Sequence, residues 1–356
     1  MSARHPGQRA LLLARALRAV MRGLVSLWYC ACLCVVAPLH ADEAKRSPHP
    51  EVIVSAQWLR DALAQPPGDA RLVILNASWS EDGVAREYLS GHLPGAVHLD
   101  TDRLETGFPR WALRTLPELQ QVIGALGVGP EDTVVVYGAR SIAAARAWWA
   151  LMYAGVRDVR YLDGGLVAWR AAGLPTETAA TIPTPRLFSA RAREDFLIST
   201  EELRGRLQDA SLQLADTRGW AEFNGLVSGY DYAAFAGRIP QAVAVGNADD
   251  SAGIYQDETG RLRDPQTVLA RWREEGLDPD AHELVFYCGT GWRSSLTFLY
   301  AYALGLPRIR NYSDGWLGWS TEHRPDPEAK GPSPGWRQIP SGNPVESPVP
   351  AILRPK

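Results

Sequence analysis

One stretch of this sequence occurs twice, and the repetition limits the possible folds more than any other feature does. Residues 127–169 align with residues 277–319 at a constant offset of 150. Upstream, the segment GHLPGA at 91–96 has a counterpart, GRIPQA, at 237–242. Two copies of one domain, each of about 125 residues, account for most of the 356 residues, a length that suits two domains with appendages.

The segments outside the repeat set the predicted boundaries. Residues 1–41 are predicted to be a signal peptide, and 51–176 form the first copy. A linker follows at 177–194, where prolines interrupt any periodicity, and the second copy covers 195–328. The remaining residues, 329–356, contain too much proline for a helix, so this tail is expected to wrap over the surface or to be disordered.

The first 41 residues have the composition of an export signal. They carry five arginines and no acidic residue, and they contain an apolar run of about fifteen residues. A membrane span needs about 20 apolar residues, so cleavage after Ala41 is favoured over the alternative of a retained anchor. Loss of the five arginines changes the formal net charge from −3 to −8. The expected product is an acidic periplasmic protein, a poor partner for nucleic acids and anionic membranes.

Each copy alternates short β-rich runs with helical stretches. An apolar run, TVVVYG at 133–138 or ELVFYC at 283–288, precedes a helical stretch that ends at Gly155 or Gly305. Such alternation is typical of proteins with a central parallel sheet. The predicted fold class is therefore α/β, with two tandem doubly wound domains built on central parallel sheets.

Of the four cysteines, three fall in the predicted signal peptide. Loss of Cys30, Cys32 and Cys34 leaves Cys288 alone in the mature chain, which cannot then form an internal disulfide. Cys288 closes a predicted strand, and doubly wound sheets bind their ligands beyond the carboxyl ends of the strands. The matching position of the first copy is Gly138, so the first copy is predicted to be non-catalytic.

The residues that follow Cys288 favour a reactive thiol. Gly289 and Gly291 allow the backbone to curl tightly, which turns its N–H groups inward as an anion-binding nest. The next helix adds the positive end of its dipole, and Arg293 adds a full positive charge. Because all three effects favour the thiolate, Cys288 is predicted to be a catalytic nucleophile rather than an inert buried cysteine.

This loop resembles the active-site loop of a known superfamily. Cys-Gly-Thr-Gly-Trp-Arg-Ser at 288–294, closing a strand in the second of two α/β repeats, is similar to that of the rhodanese superfamily. The similarity extends over roughly residues 52–328 and includes DTR at 216–218 and YSDGWLGW at 312–319. Exported bacterial thiosulfate sulfurtransferases resemble it most. The resemblance implies two rhodanese-like domains, one structural and one catalytic.

The resemblance also implies a reaction. Cys288 takes the outer sulfur of thiosulfate or a related donor as a persulfide, and cyanide or a thiol acceptor, including a redox protein, removes it. No metal and no organic cofactor is expected. The residues implied in substrate binding are Gly289, Thr290, Gly291, Trp292, Arg293 and Arg218.

Three alternatives remain open at this point. A cysteine phosphatase is disfavoured because its loop is one residue longer than the four residues that separate Cys288 from Arg293. A 3-mercaptopyruvate sulfurtransferase is a closer alternative. Related enzymes carry an anion-binding arginine where this chain has Glu222, and an acidic residue there would repel a carboxylate or sulfonate donor. Donor anchoring is then expected to have moved to Arg293. The third alternative is a periplasmic persulfide carrier that serves one partner protein.

Overall fold

The structure is a computed structural model that describes residues 48–65, 71–79, 85–246, 252–280, 282–330 and 335–347. The predicted signal peptide lies outside these ranges. No helix within them is long and apolar enough to cross a membrane.

Strands and helices alternate through both copies, as the sequence predicts. The strands are β1 (Ile53–Val54), β2 (Leu72–Ser78), β3 (Val97–Asp100), β4 (Thr133–Tyr137), β5 (Asp158–Leu162), β6 (Leu212–Asp216), β7 (Val243–Ala244), β8 (Glu283–Tyr287), β9 (Ile309–Tyr312), β10 (Thr321–Pro325) and β11 (Trp336–Pro340). The helices are α1 (Ala56–Leu63), α2 (Arg86–Ser90), α3 (Leu116–Ala125), α4 (Ser141–Tyr153), α5 (Gly165–Ala171), α6 (Thr200–Gly205), α7 (Trp220–Phe223), α8 (Ala252–Tyr255), α9 (Pro265–Glu274), α10 (Trp292–Ala303) and α11 (Gly315–Ser320).

Two parallel sheets form the centres of the two copies. The first has the order β1-β5-β4-β2-β3 and the second the order β7-β6-β8-β9. A single parallel bridge between Leu197 and Asn311 takes the place of a strand equivalent to β1 in the second sheet. The register of strand pairing is also the same in both copies. Leu72 of β2 pairs with Thr133 of β4, and Leu212 of β6 pairs with Glu283 of β8. The prediction of two tandem α/β domains with parallel sheets is confirmed.

The two copies share one hydrophobic core. Helices α4 and α10 pack against each other between the sheets, and buried side chains of both copies belong to one contiguous cluster. Trp148 of α4 contacts the rings of Phe298 and Tyr302 from α10. Large apolar side chains on both helices, such as these aromatic rings, thus place the carboxyl ends of β4 and β8 near one interdomain surface.

The second copy contains an additional segment beside the loop that carries Cys288. Leu93 donates its N–H to the Tyr137 hydroxyl, and Ile239 donates equivalently to Tyr287, so these positions correspond. Between α7 and Ile239 the second copy is longer than the first copy is between α2 and Leu93. We call residues 224–236 the inserted segment.

The tail supports this inserted segment. Strand β11 pairs antiparallel with β10, and Gln338 on β11 accepts a hydrogen bond from Ala234 N–H at 2.9 Å. The amide of Gln338 donates to the carbonyl of Tyr232 at 2.6 Å. Described tail residues therefore wrap over the second copy as a strand, one of the two outcomes expected for this segment.

Candidate active site

Cys288 lies directly after β8 and is buried, with 1% of its surface exposed. Its carbonyl accepts the N–H of Trp316 at 2.7 Å, and the carbonyl of Gly289 accepts that of Leu317 at 3.0 Å. The start of α11 thus holds the loop through its carbonyl groups. Ser294 Oγ lies 3.8 Å from the sulfur.

The backbone N–H groups of residues 289–293 have no hydrogen-bond acceptor among the described residues. Helix α10 begins at Trp292, so its positive end adjoins the same loop. Unpaired amides at a helix start form a site for an anion. This arrangement suits a thiolate or a persulfide at Cys288.

The two glycines of the loop serve different purposes. Gly291 has φ 87°, a left-handed conformation that favours glycine. Gly289 is needed for space, because a Cβ there would lie 2.1 Å from the ring of Tyr230. Both positions agree with the expected tight curl of the loop. Of the two glycines, Gly291 is the one that adopts a positive φ.

The loop faces a cavity of about 620 Å³ between the two copies, which we call the chamber. Aromatic rings from the two copies meet at its walls: Trp79 lies 5.2 Å from Trp292, and Trp111 lies 4.4 Å from Tyr232, between ring centroids. Its lining residues are Trp79, Asp102, Glu105, Trp111, Arg140, Ile142, Glu222, Gly229, Tyr230, Tyr232, Thr290, Trp292 and Arg293.

Arg293 is paired with an acidic residue. Its Nη1 and Nη2 each lie 2.8 Å from a different oxygen of Glu222, and both side chains are buried. Arg293 also donates to the hydroxyl of Tyr230. Sequence reasoning expected Glu222 to have replaced an anion-binding arginine and Arg293 to supply free charge. In the structure the two groups neutralise each other.

Arg218 does not line the chamber, contrary to the expectation that it binds substrate. It is fully buried, and its Nε and Nη2 donate to the carboxylate of Asp216 at 2.6–3.1 Å. Nη2 also donates to the carbonyl of Gly237, and the guanidinium stacks on Trp316 at 4.8 Å. Arg218 and its partner Asp216 belong to the same motif, DTR at 216–218. This pairing holds the arginine inside the second copy.

The first copy contributes a buried carboxylate to the chamber. Glu105 Oε1 accepts the indole N–H of Trp292 at 2.6 Å and lies 3.0–3.1 Å from the guanidinium nitrogens of Arg146. Burial raises the pKa of Glu105, against the opposing effect of Arg146. This contact joins the catalytic loop to the first copy.

The chamber also contains a cation that sequence reasoning missed. Arg140 stacks on Trp79 at 4.4 Å, and none of the described carboxylates forms a salt bridge with it. Arg140 is the counterpart of Thr290 at the offset of 150, so the repeat alignment could have placed it near the interdomain surface. Nothing local in the sequence shows that it faces the other copy's loop.

The loop of the first copy is closed. A Cβ at Gly138 would lie 2.2 Å from the carbonyl oxygen of Ala77, so this position excludes a cysteine sterically. The N–H of Ala139 donates to Glu87 Oε1 at 3.0 Å. In the first copy, the carboxylate of Glu87 therefore accepts the N–H of Ala139. The corresponding N–H in the second copy, that of Gly289, has no acceptor among the described residues.

Comparison with known protein families gives a match in each half of the chain. The model of the Rhodanese-like domain matches residues 55–172 and residues 199–322. The two matched ranges correspond to the two copies of the repeat.

Curated sulfurtransferases are similar over most of the chain. Thiosulfate sulfurtransferase YnjE of Escherichia coli is 34% identical over 299 residues, which cover 81% of this chain and 67% of that protein. Human 3-mercaptopyruvate sulfurtransferase is 29% identical over 283 residues, which cover 77% of this chain and 93% of that protein.

Solved structures are also similar over most of the chain. The anaerobic ergothioneine biosynthesis enzyme of Chlorobium limicola, in complex with its natural substrate trimethyl histidine, superposes with a TM-score of 0.71 at 31% identity, covering 84% of this chain and 71% of that one. The crystal structure of YnjE gives a TM-score of 0.69 at 32% identity, covering 81% and 69%.

Proposed function

The chain belongs to the rhodanese family as a tandem pair of rhodanese-like domains, and on that premise we propose that it moves sulfane sulfur from thiosulfate through a persulfide on Cys288. Its homologues are sulfurtransferases with different donors, and sulfur transfer is the function that the second copy supports. The observation that carries the proposal is the buried thiol beside the open amides of residues 289–293.

The first step forms the persulfide. The Cys288 thiolate attacks the outer sulfur of thiosulfate, a new S–S bond forms, and the bond to the sulfonate sulfur breaks with its electron pair leaving as sulfite. The amides and the start of α10 stabilise the negative charge that remains on the outer sulfur. Burial of Cys288 keeps bulk water from the intermediate.

The second step returns the thiolate. An acceptor nucleophile attacks the outer sulfur, the S–S bond breaks, and its electron pair returns to Cys288. Cyanide then leaves as thiocyanate, whereas a thiol leaves as a persulfide. Tyr230 and Tyr232 stay protonated near neutral pH, because burial raises the pKa of both hydroxyls.

Intact-mass analysis tests this cycle. After incubation with thiosulfate the protein should gain the mass of one sulfur atom, and subsequent cyanide should remove it. Cys288→Ser should show neither change while keeping its fold. A sulfur adduct on the Cys288→Ser variant, or none on the wild type, would contradict the proposal.

Two donors remain to be compared, thiosulfate and 3-mercaptopyruvate, and both are anions. Arg140 in the chamber supports an anionic donor, because no described carboxylate forms a salt bridge with it. Thiosulfate is preferred because YnjE and a thiosulfate sulfurtransferase of Azotobacter vinelandii are each 34% identical to this chain. Parallel kcat/KM measurements with the two donors decide between them.

A second candidate concerns the acceptor. The chamber walls combine aromatic rings with the carboxylate of Asp102, and aromatic walls bind methylated ammonium groups. The solved relative from Chlorobium limicola holds trimethyl histidine. Persulfidated protein should then pass sulfur to trimethyl histidine, and Trp111→Ala should slow this transfer while leaving transfer to cyanide unchanged. Equal loss with both acceptors would contradict the second candidate.

We also propose that the protein is exported and functions in the periplasm. The composition of residues 1–41 supports this, since it combines five arginines with a short apolar run. Amino-terminal sequencing of protein from its native host should begin near Asp42. Mature protein that begins at Met1 would contradict export by cleavage. Multiple turnover with cyanide as acceptor would distinguish an enzyme from a carrier that serves one partner.

A further inference from the structure

The repeat allows the open catalytic loop to be compared with the closed loop of the first copy. At the offset of 150, Gly289 corresponds to Ala139, and Arg293 corresponds to Ala143. Glu222 on α7 corresponds to Glu87 on α2, because each is followed by an aromatic residue on the short helix after the equivalent strands β6 and β2. Both copies therefore carry a glutamate beside the loop, but only the second copy carries the arginine.

The two glutamates make different contacts. Glu87 accepts the loop N–H of Ala139 at 3.0 Å, and it lines a small cavity of about 190 Å³ together with Ala143. Glu222 is instead turned to Arg293, which binds both of its oxygens at 2.8 Å. The N–H of Gly289 has no acceptor among the described residues.

We propose that Arg293 is a positioning residue that holds the carboxylate of Glu222 away from the backbone N–H groups of the Cys288 loop. Without the arginine, the carboxylate would settle on these amides as Glu87 does in the first copy. This inference rests on the proposed function, because the amides matter only if they stabilise the thiolate and the persulfide.

Electrostatics gives the consequence for the sulfur. A carboxylate on the loop amides would occupy the donors that an anionic sulfur needs, and its charge would oppose the formation of a second anion beside it. Further contacts define the held position: Glu222 Oε2 also accepts the N–H of Gly219 at 2.9 Å, and Tyr230 accepts a hydrogen bond from Arg293. Among the described residues, the donors to the carboxylate are therefore the guanidinium of Arg293 and the N–H of Gly219, not the loop amides.

A simpler role for Arg293 makes a different prediction. If the arginine acts on the thiol through its own charge, removal of that charge impairs the thiol whatever residue stands at 222. If it acts by holding Glu222, removal of both side chains restores the thiol. The double variant Arg293→Ala/Glu222→Gln separates the two roles.

The experiment measures alkylation of Cys288 by iodoacetamide as a function of pH, a reaction that needs no sulfur donor. Arg293→Ala should slow alkylation at pH 7 by about tenfold, because a carboxylate on the loop amides would oppose formation of the thiolate. The double variant should return to within about threefold of the wild type, and so should Arg293→Lys, which retains one donor for Glu222. Glu87→Gln in the first copy is the matched control and should change nothing.

The alkylation rates of the single and double variants can each contradict the proposal. A double variant as slow as Arg293→Ala, or an Arg293→Ala variant that alkylates at the wild-type rate, would overturn the proposal. If Arg293→Ala does not fold, the double variant still decides, since it leaves neither charge buried alone. Failure of the sulfur transfer itself is distinguishable, because it would appear as a wild-type protein that alkylates normally but gains no sulfur from thiosulfate.

Discussion

Trp292 in the catalytic loop donates its indole N–H to Glu105 of the other copy across 2.6 Å. The first copy carries no thiol, yet it contributes Glu105, Arg140 and two tryptophans to the chamber. Its role is therefore more than that of a folding support. Both copies build the chamber that the Cys288 loop faces.

The Glu105 contact leads to a prediction about stability. Glu105→Ala should lower the free energy of unfolding by about 3–5 kcal/mol, because it leaves the buried guanidinium of Arg146 without its counter-ion. Glu105→Gln should cost less, since an amide oxygen can still accept from Trp292. Urea unfolding followed by tryptophan fluorescence measures both. Equal stability of the alanine variant and the wild type would contradict the assigned role of the carboxylate.

A second prediction concerns the closed loop of the first copy. Gly138→Cys should not create a second active site, because the new Cβ would meet the carbonyl oxygen of Ala77 and Glu87 would still occupy the loop amide. We expect a destabilisation of about 1–3 kcal/mol. In a Cys288→Ser background, intact-mass analysis after thiosulfate should show no sulfur adduct. An adduct at position 138 would show that the loop can reopen.

Much of this arrangement follows from the sequence. The constant offset predicts two equivalent sheets, and the position of Cys288 after an apolar run predicts a thiol at the carboxyl end of a strand. These inferences succeed because strand period and loop composition are local properties. These local properties are sufficient to predict the α/β fold class.

The partners of the charged residues do not follow from the sequence in the same way. Arg218 was expected in the substrate site, but Asp216 lies two residues away and binds it inside the domain. Arg293 was expected to anchor the donor because Glu222 could not, whereas the fold pairs the two residues across 71 residues of chain. Salt-bridge partners depend on which surfaces pack together, and local composition carries no information about that.

Arg218 provides a third prediction. Arg218→Ala should lower the free energy of unfolding by about 3–5 kcal/mol, because the buried carboxylate of Asp216 loses its partner. At a temperature where the variant is folded, its KM for thiosulfate should equal that of the wild type. Urea unfolding and steady-state kinetics test the two parts. A stable variant with a raised KM would return Arg218 to the substrate site.

Arg140, unlike Arg218, lines the chamber, so its removal should affect the kinetics rather than the stability. Loss of a charge-assisted contact with an anion costs about 1.5–3 kcal/mol, or roughly ten- to a hundredfold in kcat/KM. Arg140→Ala should show a loss of this size for thiosulfate with little change in stability, because the residue is exposed. Arg103→Ala removes an exposed arginine that does not line the chamber and serves as the control. Equal kinetics of the two variants would remove Arg140 from donor binding.

The tail gives the last prediction, because it holds the inserted segment that carries Tyr230 and Tyr232. Gln338 makes two hydrogen bonds to the backbone of this segment, one from Ala234 and one to Tyr232. Each neutral hydrogen bond contributes about 1 kcal/mol, so Gln338→Ala should cost about 1–2 kcal/mol of stability.

The kinetic effect of Gln338→Ala should fall on substrate binding. Tyr232 lines the chamber, whereas the loop that carries Cys288 is held by α11 through the carbonyl groups of Cys288 and Gly289. A loosened segment should therefore raise KM several-fold and leave kcat near its wild-type value. Arg337→Ala on the same strand is the matched control, because Arg337 pairs instead with Asp326, at 2.9 Å. If both variants gave the same KM as the wild type, the tail would have no part in shaping the chamber.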